Sequence, residues 1–338
     1  MKKYTMLRVW RPFGGVLAGL FVAAMCAFPQ TTVSAWPGTL NYVEGHAFIN
    51  GQEVDQKQMG HIALEVGQTL RLDPNSKAEM LLTPGVFFRL GGNGEARMVS
   101  NSLIDTRVAV TQGEALVDVA KLFKDNNIQI LTGSSSTKLL KNGLYRFNAG
   151  TSEIAVIDGK AEVWNNDQHV KLGKGKLVNL ASASGKLKAN KFNTKQEDDL
   201  YAWSNLRAEY AAEATYATAK NINVYNYGGL SSGWLWNPVY GSWAFMPWGG
   251  YAYSPFGWGF FSPGYLAYAP IYYSPWRRHI VPVNPRRIPR SIRLRPRGIR
   301  PGIVARPHVA RPIGPRPAGP RPFHRGAPIM HHGAIHHR

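Results

Sequence analysis

Between residues 38 and 184, apolar and polar residues alternate in short runs closed by turn dipeptides, the pattern of half-buried β-strands. Tyr42-Val43-Glu44-Gly45-His46-Ala47-Phe48-Ile49 leads into Asn50-Gly51, a pair that accepts the positive φ angles of a type I′ hairpin turn. Further strands are predicted at Thr69–Leu72, Glu79–Leu82, Val86–Leu90, Ala96–Val99, Val108–Val110, Ala115–Val119 and Ile128–Leu131. Leu139–Leu140, Tyr145–Asn148, Glu153–Ile157, Ala161–Trp164 and Leu177–Leu180 complete the series. Pro84-Gly85, Gln112-Gly113, Asn142-Gly143, Asp158-Gly159 and Gly173-Lys174-Gly175 stand between them as turns. Many short strands at this spacing predict an all-β fold, an antiparallel sandwich, roll or barrel, rather than a βαβ unit.

The period changes at Thr194. Glu197, Asp198 and Asp199 supply acids for a first helical turn, and Leu200, Trp203, Leu206 and Tyr210 recur at helical spacing. A helix over 194–220 is predicted, with that stripe packed on the β-body or on the aromatic segment C-terminal to it. Ala211, Ala212, Ala214 and Ala217 favour its second half.

Residues 221–276 contain no charged side chain, and nineteen of the residues from Tyr225 to Trp276 are Trp, Tyr or Phe. A loose triplet recurs as Tyr253-Ser254-Pro255, Phe261-Ser262-Pro263, Tyr268-Ala269-Pro270 and Tyr273-Ser274-Pro275. The period is neither helical nor clean β, and the prolines break ladders. Two readings stand side by side: the rings clamp onto the β-body, or they form a surface for a partner or for self-association.

Charge sharpens the division. Residues 277–338 hold fifteen Arg, twelve Pro and no acid or Lys, a composition that predicts a disordered tail with polyproline II stretches. The first 35 residues add Lys2, Lys3, Arg8 and Arg11; removing these nineteen bases from the net +20 leaves +1 for residues 36–276. The body is therefore neutral, and the basic character belongs to two appendages. Residues 1–35 read as a signal peptide: a basic start, the apolar run Val16–Phe28, and Val33-Ser34-Ala35 as a cleavage site. Cys26, the single cysteine, lies inside that run behind Met25, which disfavours acylation. Cleavage after Ala35 leaves a chain without thiol chemistry.

The strings Val43–Ile49, Gly67-Gln68-Thr69-Leu70 and Ala78–Leu90 resemble the FecR domain. Val110–Val119 and Ile154–Val163 are similar to its second half, and together the resemblance spans about 145 of 338 residues. It implies a periplasmic β-domain that, in iron-uptake signalling, relays a signal from an outer-membrane receptor to a sigma factor. About 13 residues precede the apolar run, which leaves no room for a segment that would bind a sigma factor. The expected likeness is to free-standing, exported FecR-domain proteins with Trp/Tyr-rich C-termini.

Little in the chain reads as catalytic. His46, His61 and His169 are the histidines of the β-body, and none has the spacing of a metal motif. Gly91-Gly92-Asn93-Gly94 does not open a helix, so it is no phosphate loop. The expectation is a non-enzymatic chain without cofactor or metal, a glycan-active enzyme being the weaker alternative. The terminal His331, His332, His336 and His337 lack carboxylate or thiolate support. Candidate partner-binding residues are Trp234, Trp236, Trp243, Trp248 and Trp258 in the aromatic segment, with Arg277, Arg278, Arg286 and Arg287 at the head of the tail. An arginine fork takes phosphate and carboxylate bidentately. For an exported chain the partners so implied are lipopolysaccharide, peptidoglycan, acidic polysaccharide or an envelope protein, with peripheral membrane contact a further option. Nucleic acid binds by the same physics, but export takes the chain away from it.

Overall fold

The computed structural model describes residues 35–181, 186–195, 197–222, 232–247 and 249–270. Residues 1–34 of the expected signal segment and the Arg/Pro tail lie outside the described residues, as do Trp248, Arg277, Arg278, Arg286 and Arg287, whereas Ala35 is described and buried. Seventeen strands build the first part. In chain order these are β1 (Leu40–Glu44), β2 (Ala47–Ile49), β3 (Gln52–Glu53), β4 (Thr69–Leu72), β5 (Lys77–Leu81) and β6 (Val86–Leu90). Next come β7 (Glu95–Ser102), β8 (Asp105–Gln112), β9 (Glu114–Val119), β10 (Asn127–Thr132), β11 (Ser135–Leu139) and β12 (Gly143–Asn148). The series ends with β13 (Glu153–Asp158), β14 (Lys160–Asn165), β15 (Gln168–Gly173), β16 (Lys176–Asn179) and β17 (Asn190–Lys191).

They form two sheets, one ordered β1-β5-β6-β9-β12-β13-β16-β17 and the other β15-β14-β11-β10-β8-β7-β4-β2-β3. The sheets share a core to which both contribute, including Leu40, Met80, Val86, Phe88 and Val117 from the first and Leu70, Met98, Val108, Ile130 and Val163 from the second. This is the all-β sandwich that the alternation predicts. One pairing departs from the antiparallel expectation: β8 and β10 run parallel, Val108 opposite Ile130. Between them the chain crosses to the other sheet as β9, so the strand that returns to β8 travels in the same direction.

Turn chemistry is where the sequence placed it. At the β2–β3 hairpin Asn50 has φ 51° and Gly51 has φ 86°, the two left-handed residues that a type I′ turn requires.

The two sheets differ on their outer faces. The second alternates buried and more exposed positions, as in Lys160-Ala161-Glu162-Val163 of β14, and its outer face meets water. In the first, every residue of β6 is buried, with Val86, Phe88 and Leu90 facing the sandwich core and Phe87 facing away into a separate cluster. A strand buried on both sides needs a third layer, and the C-terminal segment supplies it.

That layer consists of a helix, α1 (Asp199–Asn221), and two hairpins: β18 (Gly233–Asn237) with β19 (Ser242–Met246), and β20 (Tyr251–Tyr253) with β21 (Gly259–Phe261). A 3₁₀ turn over Pro263–Tyr268 closes it. The hairpins correct the expectation that the prolines exclude regular structure here. Pro238 and Pro255 fall in the loops joining paired strands, Pro247 lies just beyond β19, and Pro263 opens the 3₁₀ turn, so none removes a ladder donor. Among the described residues, no helix is long and apolar enough to cross a membrane.

Helix α1 begins at Asp198, whose side chain accepts a hydrogen bond from the Tyr201 N–H at 2.7 Å. Its inward face is displaced from the stripe that the spacing predicts. Leu200 and Trp203 are buried, but Leu206 and Tyr210 are each 45% exposed; the inner face continues through Ser204, Arg207, Ala208, Ala211, Ala212 and Thr215. The alanines let the helix backbone approach β19 closely, and Thr215 Oγ1 donates to the Phe245 carbonyl at 2.9 Å.

Candidate functional site

The junction of sheet, helix and hairpins is built round four charged side chains. Glu79 on β5 and Arg89 on β6 are register partners, and Asp118 on β9 lies one step along the same face of the sheet. Arg89 Nε donates to Glu79 Oε2 at 2.9 Å, and Arg89 Nη1 to Asp118 Oδ2 at 3.0 Å. From the helix, Arg207 Nη2 donates to Glu79 Oε1 at 2.9 Å, and the same oxygen accepts from Asn41 Nδ2 at 2.9 Å. Arg207 also stacks over the Tyr42 ring, 4.0 Å from its centroid. The hairpins are tied into the same set. Ser254 Oγ donates to Asp118 Oδ2 at 3.0 Å, and the Trp243 N–H donates to Asn41 Oδ1 at 2.8 Å.

Glu79, Arg89 and Asp118 have no exposed surface. Two acids and two guanidinium groups balance, which is how charge is held inside a protein at tolerable cost. Burial pushes Glu79 up, but Arg207 and Arg89, with hydrogen bonds from Arg207 and Asn41, outweigh it and hold the carboxyl at about 2. Asp118 is raised, because burial exceeds what Arg89 and Ser254 return. Arg89 Nη2, Arg207 Nε and Asp118 Oδ1 make no protein hydrogen bond among the described residues. Sealed under the third layer, these carboxylates meet no solute. The cluster is a clasp between layers, and its chemistry is adhesion.

The clasp implies an acid limit. Glu79 is depressed from 4.5 to about 2 in the folded chain, so its stabilisation is complete above its unfolded pKa and fades as pH falls from about 4.5 to about 2. Asp118 acts the other way: its raised folded pKa contributes stability at low pH that is lost as pH rises through that pKa. Glu79→Gln is expected to be less stable than the native chain at pH 7, with the gap narrowing by about 3 kcal/mol on going to pH 2. Urea titrations at the two pH values measure this.

Around the clasp the rings interlock. Phe87, projecting from the sheet, meets Trp234 edge-on at 5.2 Å and stacks on Phe260 at 5.9 Å; Phe245 sits against both Trp234 and Phe260 at 5.8 and 5.4 Å. Each such pair contributes about 0.5–1.5 kcal/mol beyond its buried area. The indole N–H groups add fixed points. Trp243 Nε1 donates to the Gly60 carbonyl at 2.7 Å, Trp258 Nε1 to Asn205 Oδ1 at 2.8 Å, and Trp203 Nε1 to Glu44 Oε2 at 2.8 Å.

Of the residues that the sequence offers for partner binding, Trp234, Trp243 and Trp258 are therefore buried inside the chain and turn no open ring face to a partner. Trp236 is half-buried, at 5.1 Å from His61 and 5.5 Å from Trp243. Of the two readings of the aromatic segment, the described part takes the intramolecular one for its indoles. The sequence reading missed Glu79, Arg89, Asp118 and Arg207 as a unit. Its one signal is an arginine at the fourth position of the otherwise apolar Val86–Leu90, a strand with no wet face on which to put it. Rings do remain on the outside. Tyr251 is 50% and Tyr268 57% exposed, with Tyr253 and Tyr265 between them half-buried.

No family model and no curated protein matches the chain. Among solved structures, two of a putative anti-sigma factor from Parabacteroides distasonis ATCC 8503 resemble it at 15% and 14% identity, both with a TM-score of 0.33. Each alignment covers 41% of this chain and 64% of that chain, so this chain spans less than two thirds of the length of the structures it matches.

Proposed function

We infer that this chain is an exported, non-catalytic protein of the cell envelope. Its capped β-sandwich serves as a rigid body that holds a basic tail against an envelope polyanion (lipopolysaccharide, peptidoglycan or acidic polysaccharide) or an envelope protein. One observation carries the reading: the clasp of Glu79, Arg89, Asp118 and Arg207 ties the C-terminal layer to the sheet. The described part of the C-terminal segment, as far as residue 270, is thereby packed on the folded body. Fifteen arginines without a single acid then occupy the chain from residue 277. Such a run attracts polyanions through counterion release and bidentate pairing, both of which weaken with salt.

The test compares the full chain with a variant lacking 277–338, using purified lipopolysaccharide and peptidoglycan sacculi in a sedimentation assay. Retention of the full chain is expected at about 0.05 M salt, with strong loss at about 0.5 M, and the truncated variant is expected to be retained far less at the lower salt and to change little with salt. Equal retention of the two variants, or binding indifferent to salt, overturns the reading. Fractionation of the native host checks export, since full-length unprocessed chain in the cytosol contradicts it.

The FecR-like strings support a second reading, an accessory of envelope signalling that senses a receptor. It requires stable co-purification with an outer-membrane protein, and that association should survive deletion of the tail.

A further inference from the structure

We propose that Tyr251, Tyr253, Tyr265 and Tyr268 form a polysaccharide-binding strip on the outer surface of the third layer, continuous in sequence with the arginine tail and suited to an acidic polysaccharide. The proposal rests on the envelope reading above and gives it a site. The strip is built by the β20–β21 hairpin and the 3₁₀ turn after it. Ala252 points inward to the aromatic cluster, so its neighbours Tyr251 and Tyr253 point outward, their rings 5.6 Å apart. Tyr265 continues the row 6.3 Å from Tyr251, and Tyr268 lies 5.8 Å beyond Tyr265. Phe261, fully buried, is the floor against which Tyr251 and Tyr253 rest, each 6.0 Å away. The position opposite Tyr253 is Gly259, where a Cβ would come within 2.5 Å of the Phe261 ring and 3.0 Å of Tyr253. Its glycine lets the two rings close up.

The sorting of ring types identifies the ligand. Among the described residues of the segment, the buried rings are Phe245, Phe260 and Phe261 with three indoles, whereas the exposed ones, Tyr240, Tyr251 and Tyr268, carry hydroxyls. A surface made to enter a bilayer would present its most apolar rings outward, and this one does the reverse. Phenols offer a π face for the C–H face of a sugar ring together with a polar edge for its hydroxyls. The rings are tilted by 44° to 72° to one another, a corrugated strip that tracks a twisted chain of sugars better than a flat base. No charge lies anywhere in residues 221–276, so the strip itself selects no ion. The tail begins seven residues after the last described one, and its arginines need an anion. A polymer with sugar faces and regularly spaced carboxylates answers both.

Binding of the full chain to alginate, with dextran as the uncharged control, tests this. At about 0.5 M salt, where the tail's contribution is screened, Tyr251→Ala/Tyr265→Ala/Tyr268→Ala is expected to lose at least about tenfold in affinity. The corresponding triple Phe variant keeps the rings and should lose less. Both should melt within a few degrees of the native chain, because the floor and clasp are untouched; if the Ala variant unfolds, the Phe variant and Tyr268→Ala alone, with a smaller loss, carry the test. Unchanged alginate affinity in the Ala variant overturns the strip while leaving tail-dependent, salt-sensitive anchoring intact. Failure of the full chain to bind any envelope polymer at low salt removes the envelope reading itself. Loss of binding to phosphatidylglycerol vesicles, or dissociation of a dimer in light scattering, with alginate binding unaffected, also overturns the strip, in favour of a membrane or a second copy.

Discussion

Arg89→Met is expected to destabilise the chain by about 3–5 kcal/mol, the cost of stranding buried charge after one partner is removed. Methionine fills much of the same volume, so the loss is electrostatic and not a cavity. Among the described residues, Asp118 then keeps only Ser254 as a side-chain hydrogen-bond donor, and Glu79 retains Arg207 and Asn41. The remaining charges no longer balance. Pairing Arg89→Met with Asp118→Leu restores balance, since Glu79 and Arg207 still neutralise each other. The double variant is expected to recover more than half of the loss, a large favourable coupling in a double-mutant cycle measured by denaturant unfolding. If the second substitution adds to the damage of the first, the four groups do not act as a clasp.

Phe87→Ala should cost a similar amount, about 3–5 kcal/mol, by a different route. Its ring is the only aromatic side chain of β6 that faces the third layer, and it touches both Trp234 and Phe260. Truncation opens a cavity at the centre of that contact while leaving the sandwich core, to which Phe88 belongs, unaltered. The distinguishing observation is where the chain loosens. Tryptophan emission should shift to the red as Trp234 gains water, and limited proteolysis should cut between β17 and α1 before it cuts the sandwich. Phe88→Ala, of equal size and one residue away, should instead loosen both sheets together. Identical digestion patterns for the two would show that the layers do not separate.

How much of this the sequence discloses depends on the period of each segment. Thr69–Leu72 and Val86–Leu90 were legible to the residue, because alternation or a short apolar run ends at a turn whose chemistry is local. Gln168–Gly173 escaped: it lies at the edge of its sheet, mostly exposed, and carries too few apolar residues to show a period. The helix was visible but its rotation was not. Leu206 and Tyr210 look like core, yet the inner face is given to alanines and Arg207, since a backbone close to β19 and a cation above Glu79 matter more there than apolar bulk. The aromatic hairpins were hidden because the prolines sit in loops that only the fold defines. As for the clasp, Glu79 and Asp118 are acids between apolar neighbours in their strands, a pattern that looks the same whether the carboxylate meets water or a buried partner. Nothing local reports that residues 128 positions apart, Glu79 and Arg207, will share a hydrogen bond.

That distance has a consequence for how the molecule is born. The bond between Asn41 and Trp243 joins residues 202 positions apart, and that between Glu44 and Trp203 joins residues 159 apart. A ribosome or a translocation channel releases the sandwich long before the segment that shields it. For that interval Phe87 and the charges beside it stand bare on a newly formed sheet, an adhesive face available to any neighbouring nascent chain. A holding chaperone would find its natural client in this half-dressed species. Yield of folded chain should then track how fast the C-terminal layer arrives rather than how stable the finished protein is.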